Sequence, residues 1–201
     1  MNIRPKILCL LPDDLNEKKI LDVGIGYGKW GYILRTWKQG NPYIVGIDPY
    51  SLYIENVKRV QIYNEVYCMT AQQYLTEKPN ARYDIILFCE VIEHHLTKEE
   101  AWATLEQLET RLNPGGILIL STPDGHSRGA AMCDGNELND HPIGFHASEF
   151  EKRGYETTRI LKEIFMLGHV IGPLAYVWFT LRWGKPPATH TVVAWKRRSI
   201  N

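Results

Sequence analysis

Short apolar runs alternate with longer amphipathic stretches from residue 19 to residue 121. The runs at 19–23, 43–47, 83–89 and 117–121 predict buried strands, and the run at 65–69 predicts a weaker one. Helical periodicity falls between them, and strands joined by helices pair in parallel. We therefore predict a doubly wound, Rossmann-like α/β fold with a mostly parallel sheet, helices on both faces, and ligands at the carboxyl ends of the strands.

Capping and turn residues set the expected ends of the helices. Ser51 is the predicted N-cap of a helix that runs towards Arg59, and Thr97 with Glu100 forms a capping-box pattern ahead of a longer helix. The Asn-Pro-Gly-Gly sequence at 113–116 predicts a turn between that helix and the next strand.

The length and composition suit a single domain over residues 1–201. The chain has 201 residues, of which 44% are hydrophobic and 23% charged. A long polar segment follows residue 122, and apolar stretches at 159–161 and 191–195 are expected to form an antiparallel pair that completes seven strands.

Charge and cysteine usage narrow the expected partners and compartment. Lysine plus arginine and aspartate plus glutamate both number 23, so no overall positive field favours a long nucleic acid. The four cysteines form no CxxC pair, which favours reduced thiols over a zinc site or a disulfide framework. The N-terminal apolar run at 7–11 is too short for a signal peptide, and we expect a cytoplasmic protein.

The segment 164–181 is almost entirely apolar and is long enough for a membrane span. Gly168, Gly172 and Pro173 interrupt it, however, and a final strand must still return to the sheet. We expect a hairpin or helix that closes the ligand site, with contact to a membrane surface as the less favoured alternative.

A glycine-rich loop, Asp-Val-Gly-Ile-Gly-Tyr-Gly-Lys-Trp-Gly at 22–31, lies between the first predicted strand and a helix. Its glycines allow a sharp turn and a close ligand approach, and the helix start offers unpaired N–H groups. Gly26, Gly28 and Gly31 also match the GxGxxG dinucleotide fingerprint, with Asp48 at a suitable distance. Two classes of ligand are therefore open at this point.

Asp22 separates the two classes, because a carboxylate before the first glycine suits an ammonium group and would repel a pyrophosphate. S-adenosylmethionine (SAM) carries such an ammonium, and its ribose hydroxyls suit an acid at Asp48. The loop resembles the first motif of class I SAM-dependent methyltransferases, and Asp48 matches their ribose-binding acid. Thr70 and Ala71 stand where an aspartate often contacts the adenine in that family.

Two later segments share the resemblance. Residues 83–94 are similar to the family's fourth strand and its acidic continuation, and residues 112–116 are similar to the turn before its fifth strand. The resemblance spans about 19–122. A looser likeness through 136–146 points to a bacterial subgroup that modifies small molecules or surface glycans.

The resemblance implies SAM as the cofactor. It also implies a cofactor-binding part at about 17–122, and an acceptor-side loop with a closing part at about 123–201. The residues expected to bind the cofactor are Asp22, Gly24, Gly26, Gly28, Asp48, Ala71 and Glu90.

Methyl transfer from a sulfonium mainly requires alignment, because the cofactor already carries the leaving group. A hydroxyl acceptor still benefits from a general base that titrates near neutrality. We therefore predict His94, His141 and Glu90 as catalytic residues. The polar, histidine-bearing loop suits O-methylation of a small hydroxylated molecule, such as a sugar or a glycan precursor.

Three alternatives stay open. Glu90, Glu93 and His94 could bind a divalent cation if His141 or His146 added a ligand, as in the similar metal-dependent RNA ribose methyltransferases, although our assignment includes no metal. A NAD-dependent oxidoreductase would use the same glycine loop. A non-catalytic domain of this fold would bind a cofactor or a partner without turnover.

Overall fold

The computed structural model describes residues 5–125, 140–161 and 190–200. The helices are α1 (Pro5–Leu10), α2 (Lys29–Thr36), α3 (Ser51–Val60), α4 (Ala71–Glu77), α5 (Lys98–Thr110) and α6 (Ala147–Glu151), with one 3₁₀ turn at Ile92–His94. The strands are β1 (Lys19–Val23), β2 (Tyr43–Asp48), β3 (Glu65–Cys68), β4 (Tyr83–Cys89), β5 (Leu112–Pro123), β6 (Glu156–Leu161) and β7 (His190–Arg197).

The seven strands form one sheet in the order β3-β2-β1-β4-β5-β7-β6. Strands β1 to β5 pair in parallel, whereas β7 runs antiparallel to both β5 and β6. The chain winds outward from β1 to β3 and then crosses to β4, so connections leave β1 and β4 in opposite directions. This is the switch point at which α/β sheets bind ligands. The predicted fold, with its closing antiparallel pair, is confirmed.

Alternating side chains of β4 show how both faces of the sheet are buried. Ile86 and Phe88 pack on the face covered by α4, α5 and α6, whereas Ile85, Leu87 and Cys89 pack on the face covered by α1 and α2. A strand buried on both faces reads as a continuous apolar run, which is why the sequence pattern located it.

Two predicted boundaries are corrected by the structure. Tyr50, not Ser51, is the N-cap of α3, and the Tyr50 side chain makes no capping hydrogen bond; Ser51 is the first residue of the helix. The predicted turn at 113–116 lies within β5 as a bulge, since Tyr83 pairs with Leu112 and Ile85 pairs with Ile117. Gly115 has φ of +75° there, which lets the extra residues loop out.

Within the described ranges, no helix has the length and apolarity needed to cross a membrane. The apolar segment 164–181 and most of the polar segment after β5 lie outside those ranges, so the expectations for them stay predictions.

Candidate cofactor and active site

The glycine loop turns sharply at the end of β1. Gly24, Gly26 and Gly28 have φ of +72°, +50° and +79°, values that other residues rarely adopt. A Cβ on Gly24 would lie 2.3 Å from Cγ2 of Val91, just beyond β4, whereas a Cβ on Gly26 would meet no atom within 4 Å. Gly24 therefore permits close packing of the two strand ends, and Gly26 faces open space that a ligand can approach.

Asp48, the last residue of β2, braces this loop. Its Oδ2 accepts a hydrogen bond from the backbone N–H of Gly26 at 3.0 Å, and its Oδ1 accepts one from the backbone N–H of Tyr50 at 2.9 Å. Burial raises the pKa of Asp48, while these two N–H groups and His94 act to lower it. Each carboxylate oxygen retains a second lone pair, so the group can still accept hydroxyls from a ligand.

Asp22 is fully buried near the end of β1. Its Oδ2 accepts a hydrogen bond from the hydroxyl of Tyr63 at 2.6 Å, but no hydrogen-bond partner among the described residues reaches its Oδ1. Burial raises the pKa of Asp22 to about 7. A buried carboxylate beside the glycine loop, with one oxygen that accepts no hydrogen bond from the described residues, fits a ligand that carries an ammonium group.

Gly31 lies inside α2 rather than in the loop, and a Cβ there would lie 2.5 Å from the ring of Tyr63. Its small size therefore serves packing between α2 and its neighbours. The third glycine of a dinucleotide fingerprint serves packing as well, so Gly31 does not distinguish the two ligand classes.

A cavity of about 460 Å³ opens at the carboxyl ends of β1 to β4. Of the predicted site residues it is lined by Gly24, Ala71 and His94, and Ile47 and Pro49 on either side of Asp48 also line it. The predicted residues that do not line it are Asp22, Gly26, Gly28, Asp48, Glu90 and His141.

Glu90 follows β4 and has φ of +58°, a conformation that costs energy for a residue with a side chain. Its backbone N–H donates to the carbonyl of Ser121 at 2.7 Å, and its Oε1 accepts from the Ser121 hydroxyl at 2.9 Å. Glu90 is thus bound to β5, and it redirects the chain from β4 into the turn that carries His94.

The structure brings the two predicted catalytic histidines together, although residues between them in the sequence lie outside the described ranges. The ring centroids of His94 and His141 are 4.6 Å apart. Nδ1 of His94 is 2.7 Å from the carbonyl oxygen of Asp140. Because a carbonyl only accepts, Nδ1 carries the proton, and Nε2 of neutral His94 is left with a lone pair that can take up a proton or bind a metal.

Buried Glu93 adds a carboxylate to the histidine pair. One ligand atom from each of Glu93, His94 and His141 lies within 4.8 Å of the others, a separation that a single cation can span. Glu90 and His146, which the metal alternative also considered, do not belong to this group. Nδ1 of His146 instead lies 3.0 Å from a carboxylate oxygen of Asp124.

Tyr63 is the site residue that the sequence reasoning missed. Two features of the sequence are consistent with this role. The N-cap of α2 is Gly28, which has no side chain, so the first backbone N–H groups of that helix need an acceptor from another residue. Gly46 lies within a buried strand, where a glycine often marks the close approach of another group.

A mostly parallel sheet with a glycine loop and two acids at its switch point is the arrangement typical of domains that bind a nucleotide cofactor. Comparison with protein families narrows this class, since the family described as "Methyltransferase domain" matches residues 2–161. The chain therefore belongs to the methyltransferase domain family, and the oxidoreductase alternative is not supported.

Two curated relatives match about 60% of the chain. The tRNA N(3)-methylcytidine methyltransferase of Schizosaccharomyces pombe is 30% identical over 125 residues, and the match covers 57% of this chain and 39% of that protein. The ubiquinone biosynthesis O-methyltransferase of Rhodopseudomonas palustris is 27% identical over 123 residues, and the match covers 59% of this chain and 45% of that protein. The matched region thus spans less than half the length of each relative.

The fold is also similar to solved structures. A SAM-dependent methyltransferase from Archaeoglobus fulgidus has a TM-score of 0.64 at 14% identity, covering 96% of this chain and 92% of that one. Other structural neighbours were solved in complex with SAH, S-adenosylhomocysteine. These likenesses establish the fold.

Proposed function

We propose that the protein is a SAM-dependent methyltransferase that acts on an oxygen of a small hydroxylated molecule, in the class of sugars and glycan precursors. The observation that carries this proposal is the buried Asp22, whose Oδ1 has no hydrogen-bond partner among the described residues, beside a glycine cradle. Family membership supports the reaction class.

The residues at the switch point fit SAM. Asp22 would bind its ammonium, and Asp48 would accept hydrogen bonds from the two ribose hydroxyls. Gly26 would allow a close approach to the backbone, and Ala71 would lie along the adenine side of the cavity. When bound, SAM supplies a methyl group on a positively charged sulfur.

His94 would serve as the base for a hydroxyl acceptor. It lines the cavity, and its Nδ1–H bond to the carbonyl of Asp140 leaves Nε2 to receive the acceptor's proton. His141 packs edge-on against the His94 ring and restricts its orientation. Glu90 would act indirectly, because its backbone conformation positions the turn that carries His94.

A small acceptor is supported by the net charge of the protein. The formal net charge is zero, so no overall field favours the backbone of a long nucleic acid. One curated relative is named for O-methylation and the other for a tRNA base, so both acceptor classes belong in the test.

The test offers methyl-labelled SAM with three acceptor pools: a polar small-molecule extract, the same extract with its hydroxyls acetylated, and total tRNA. We expect label transfer to the first pool only, strongly reduced by Asp48→Ala at limiting SAM and by His94→Ala. His146→Ala is the matched control, because His146 is exposed and pairs with Asp124. Transfer to tRNA alone would contradict the proposal.

A second candidate function is metal-assisted methyl transfer, which the cluster of Glu93, His94 and His141 specifically favours. The Nδ1–H of His94 donates to a backbone carbonyl, an arrangement that typically orients a metal-bound histidine. A bound cation there would hold acceptor oxygens beside the methyl donor. Titration of the chelator-treated protein with Mn²⁺, followed by electron paramagnetic resonance, tests this: saturable binding that His141→Ala abolishes and His146→Ala preserves would support it, and no saturable binding would exclude it.

A further inference from the structure

Tyr63 lies in the connection from α3 to β3, and its hydroxyl reaches the acid of the candidate cofactor site. The hydroxyl donates to Oδ2 of Asp22 at 2.6 Å and accepts from the backbone N–H of Gly31 at 3.1 Å. Gly31 is in the first turn of α2, where backbone N–H groups have no partner within the helix, and the N-cap Gly28 has no side chain to supply one. Tyr63 thus links Asp22 to the N-terminal turn of α2.

Two glycines make room for the Tyr63 ring. A Cβ on Gly31 would lie 2.5 Å from the ring, and a Cβ on Gly46 would lie 2.8 Å from it. Gly46 is the β2 residue that pairs with Asp22 of β1. The sequence therefore keeps a space for this ring directly beside the acid.

The connection that carries Tyr63 is held on both sides. Arg35 of α2 donates from Nε to the carbonyl of Ile62 at 3.0 Å and from Nη2 to Oδ1 of Asn64 at 2.6 Å. Asn64 accepts from the backbone N–H of Ile44 through Oδ1 and donates its own N–H to the carbonyl of Ile44, both at 2.8 Å. The position of the Tyr63 hydroxyl is therefore set by α2 and β2.

We propose that Tyr63 is a positioning residue of the cofactor site, which orients Asp22 and favours its ionised form so that Oδ1 can bind the ammonium of SAM. This inference rests on the proposed function. The geometry assigns Oδ2 to Tyr63 and leaves Oδ1 to the ligand.

The groups that act on Asp22 come from three elements. Asp48 at the end of β2 disfavours a second negative charge, and so does burial, whereas Lys29 of α2 and the Tyr63 hydroxyl favour the charge. Without the hydroxyl, Lys29 would be the one described side chain left to oppose the effects of burial and of Asp48. The carboxyl of Asp22 would then keep its proton to a higher pH, and ligand binding would require that higher pH.

Calorimetric titration of the full chain with SAH between pH 6 and 8.5 tests this. For Tyr63→Phe we expect the midpoint of the affinity profile to rise by about one pH unit, which corresponds to about tenfold weaker binding at pH 6, about fivefold weaker binding at pH 7 and a much smaller loss at pH 8.5. Tyr43→Phe is the matched control, because it also removes a tyrosine hydroxyl that donates to a carboxylate, that of Glu65 at 2.5 Å, at the other end of β2. Its profile should match the wild type.

A second readout needs no ligand. The ¹³C carboxyl titration of Asp22, assigned by its loss in Asp22→Asn, should shift to higher pH in Tyr63→Phe, and to lower pH when 3,5-difluorotyrosine at position 63 strengthens the donor without removing the ring. Unchanged titration in both variants would overturn the inference, as would a loss of affinity that is equal at every pH. Wild-type protein that binds no SAH at any pH would count against the proposed function instead.

Discussion

Gly24 and Gly26 stand two residues apart in the same loop, yet a side chain would meet different surroundings at each. Gly24→Ala would bring Cβ to 2.3 Å from Val91, so backbone strain and a steric clash add together, and we expect a loss of about 2–4 kcal/mol in the free energy of unfolding. Gly26→Ala meets open space and should lose only about 1 kcal/mol from its positive φ. Urea denaturation followed by circular dichroism measures both losses. Equal losses would show that the contact with Val91 does not add to the cost of a side chain at position 24.

Asp22 gives the protein a pH dependence of stability with a definite sign. Its pKa in the folded protein is about 7, above the ordinary value of 3.8, so the folded state holds a proton that the unfolded state has released between these values. The stability contribution is therefore complete below pH 3.8 and is lost as the pH rises through 7, by about 4 kcal/mol in all.

Asp22→Asn removes that titration. Relative to the wild type, its free energy of unfolding should increase by a few kcal/mol as the pH rises from 5 to 8, because the wild type loses stability over this range and the variant does not. Urea denaturation of both proteins at each pH measures the difference, in which the other titrating groups cancel. A difference that stays constant with pH would contradict the assignment of a raised pKa to Asp22.

His94 is expected to matter for turnover and little for cofactor affinity. If its Nε2 accepts the acceptor's proton, His94→Ala should lower kcat by on the order of 10² to 10⁴ while the affinity for SAH changes little. Initial rates with the acceptor found in the labelling experiment, together with calorimetry, measure the two quantities. Full activity of His94→Ala would exclude this role, and a strict need for added Mn²⁺ would favour the metal-assisted alternative.

The segment that carries His141 is anchored to the helices through Phe145. This ring is fully buried, and its centroid lies 5.1 Å from Trp102 of α5 and 5.6 Å from Phe150 of α6. Phe145→Ala should cost about 3–5 kcal/mol in the free energy of unfolding, measured by urea denaturation. Val60→Ala, at an exposed position at the end of α3, should cost less than about 0.5 kcal/mol; similar losses for the two would contradict this anchoring.

The elements that the sequence predicts well are those with a simple burial pattern. Strands β1, β2 and β4 are apolar runs because both faces of the sheet are covered, and their predicted positions agree with the structure to within a residue. The ends of elements depend on local hydrogen bonds instead. Ser51 has the side-chain chemistry of an N-cap, but it is the first residue of α3, and Tyr50 is the N-cap without a side-chain capping bond. The preference for serine at N-caps therefore placed the start of this helix one residue too late.

Long-range contacts explain what the sequence could not predict about the candidate site. The glycine loop and Asp48 are local motifs, so they could be identified from order and spacing. Tyr63 is 41 residues from Asp22, and its role depends on the pairing of β1 with β2 and on the space at Gly31 and Gly46. No periodicity or motif encodes such a contact, and the two glycines that accompany it, Gly28 as the N-cap of α2 and Gly46 within β2, indicate a missing acceptor and a space without naming the residue that supplies or fills them.

In the whole molecule, the order of the strands determines where the candidate site lies, and membership of the family indicates the class of reaction. Winding outward to β3 and then crossing to β4 opens the crevice between the carboxyl ends of β1 and β4, where the glycine loop, the two acids and the histidine pair converge. The chain belongs to the methyltransferase domain family, and the cofactor that this implies is the point on which the proposed function depends.

Calorimetric titration with SAH and, separately, with NADH at pH 8 tests that point directly. We expect binding heat at a single site with SAH and none with NADH, and Asp48→Ala should weaken SAH binding by about 1.5 to 3 kcal/mol, or about 10- to 150-fold, through the loss of charge-assisted hydrogen bonds. Heat from NADH with none from SAH would contradict the proposed function.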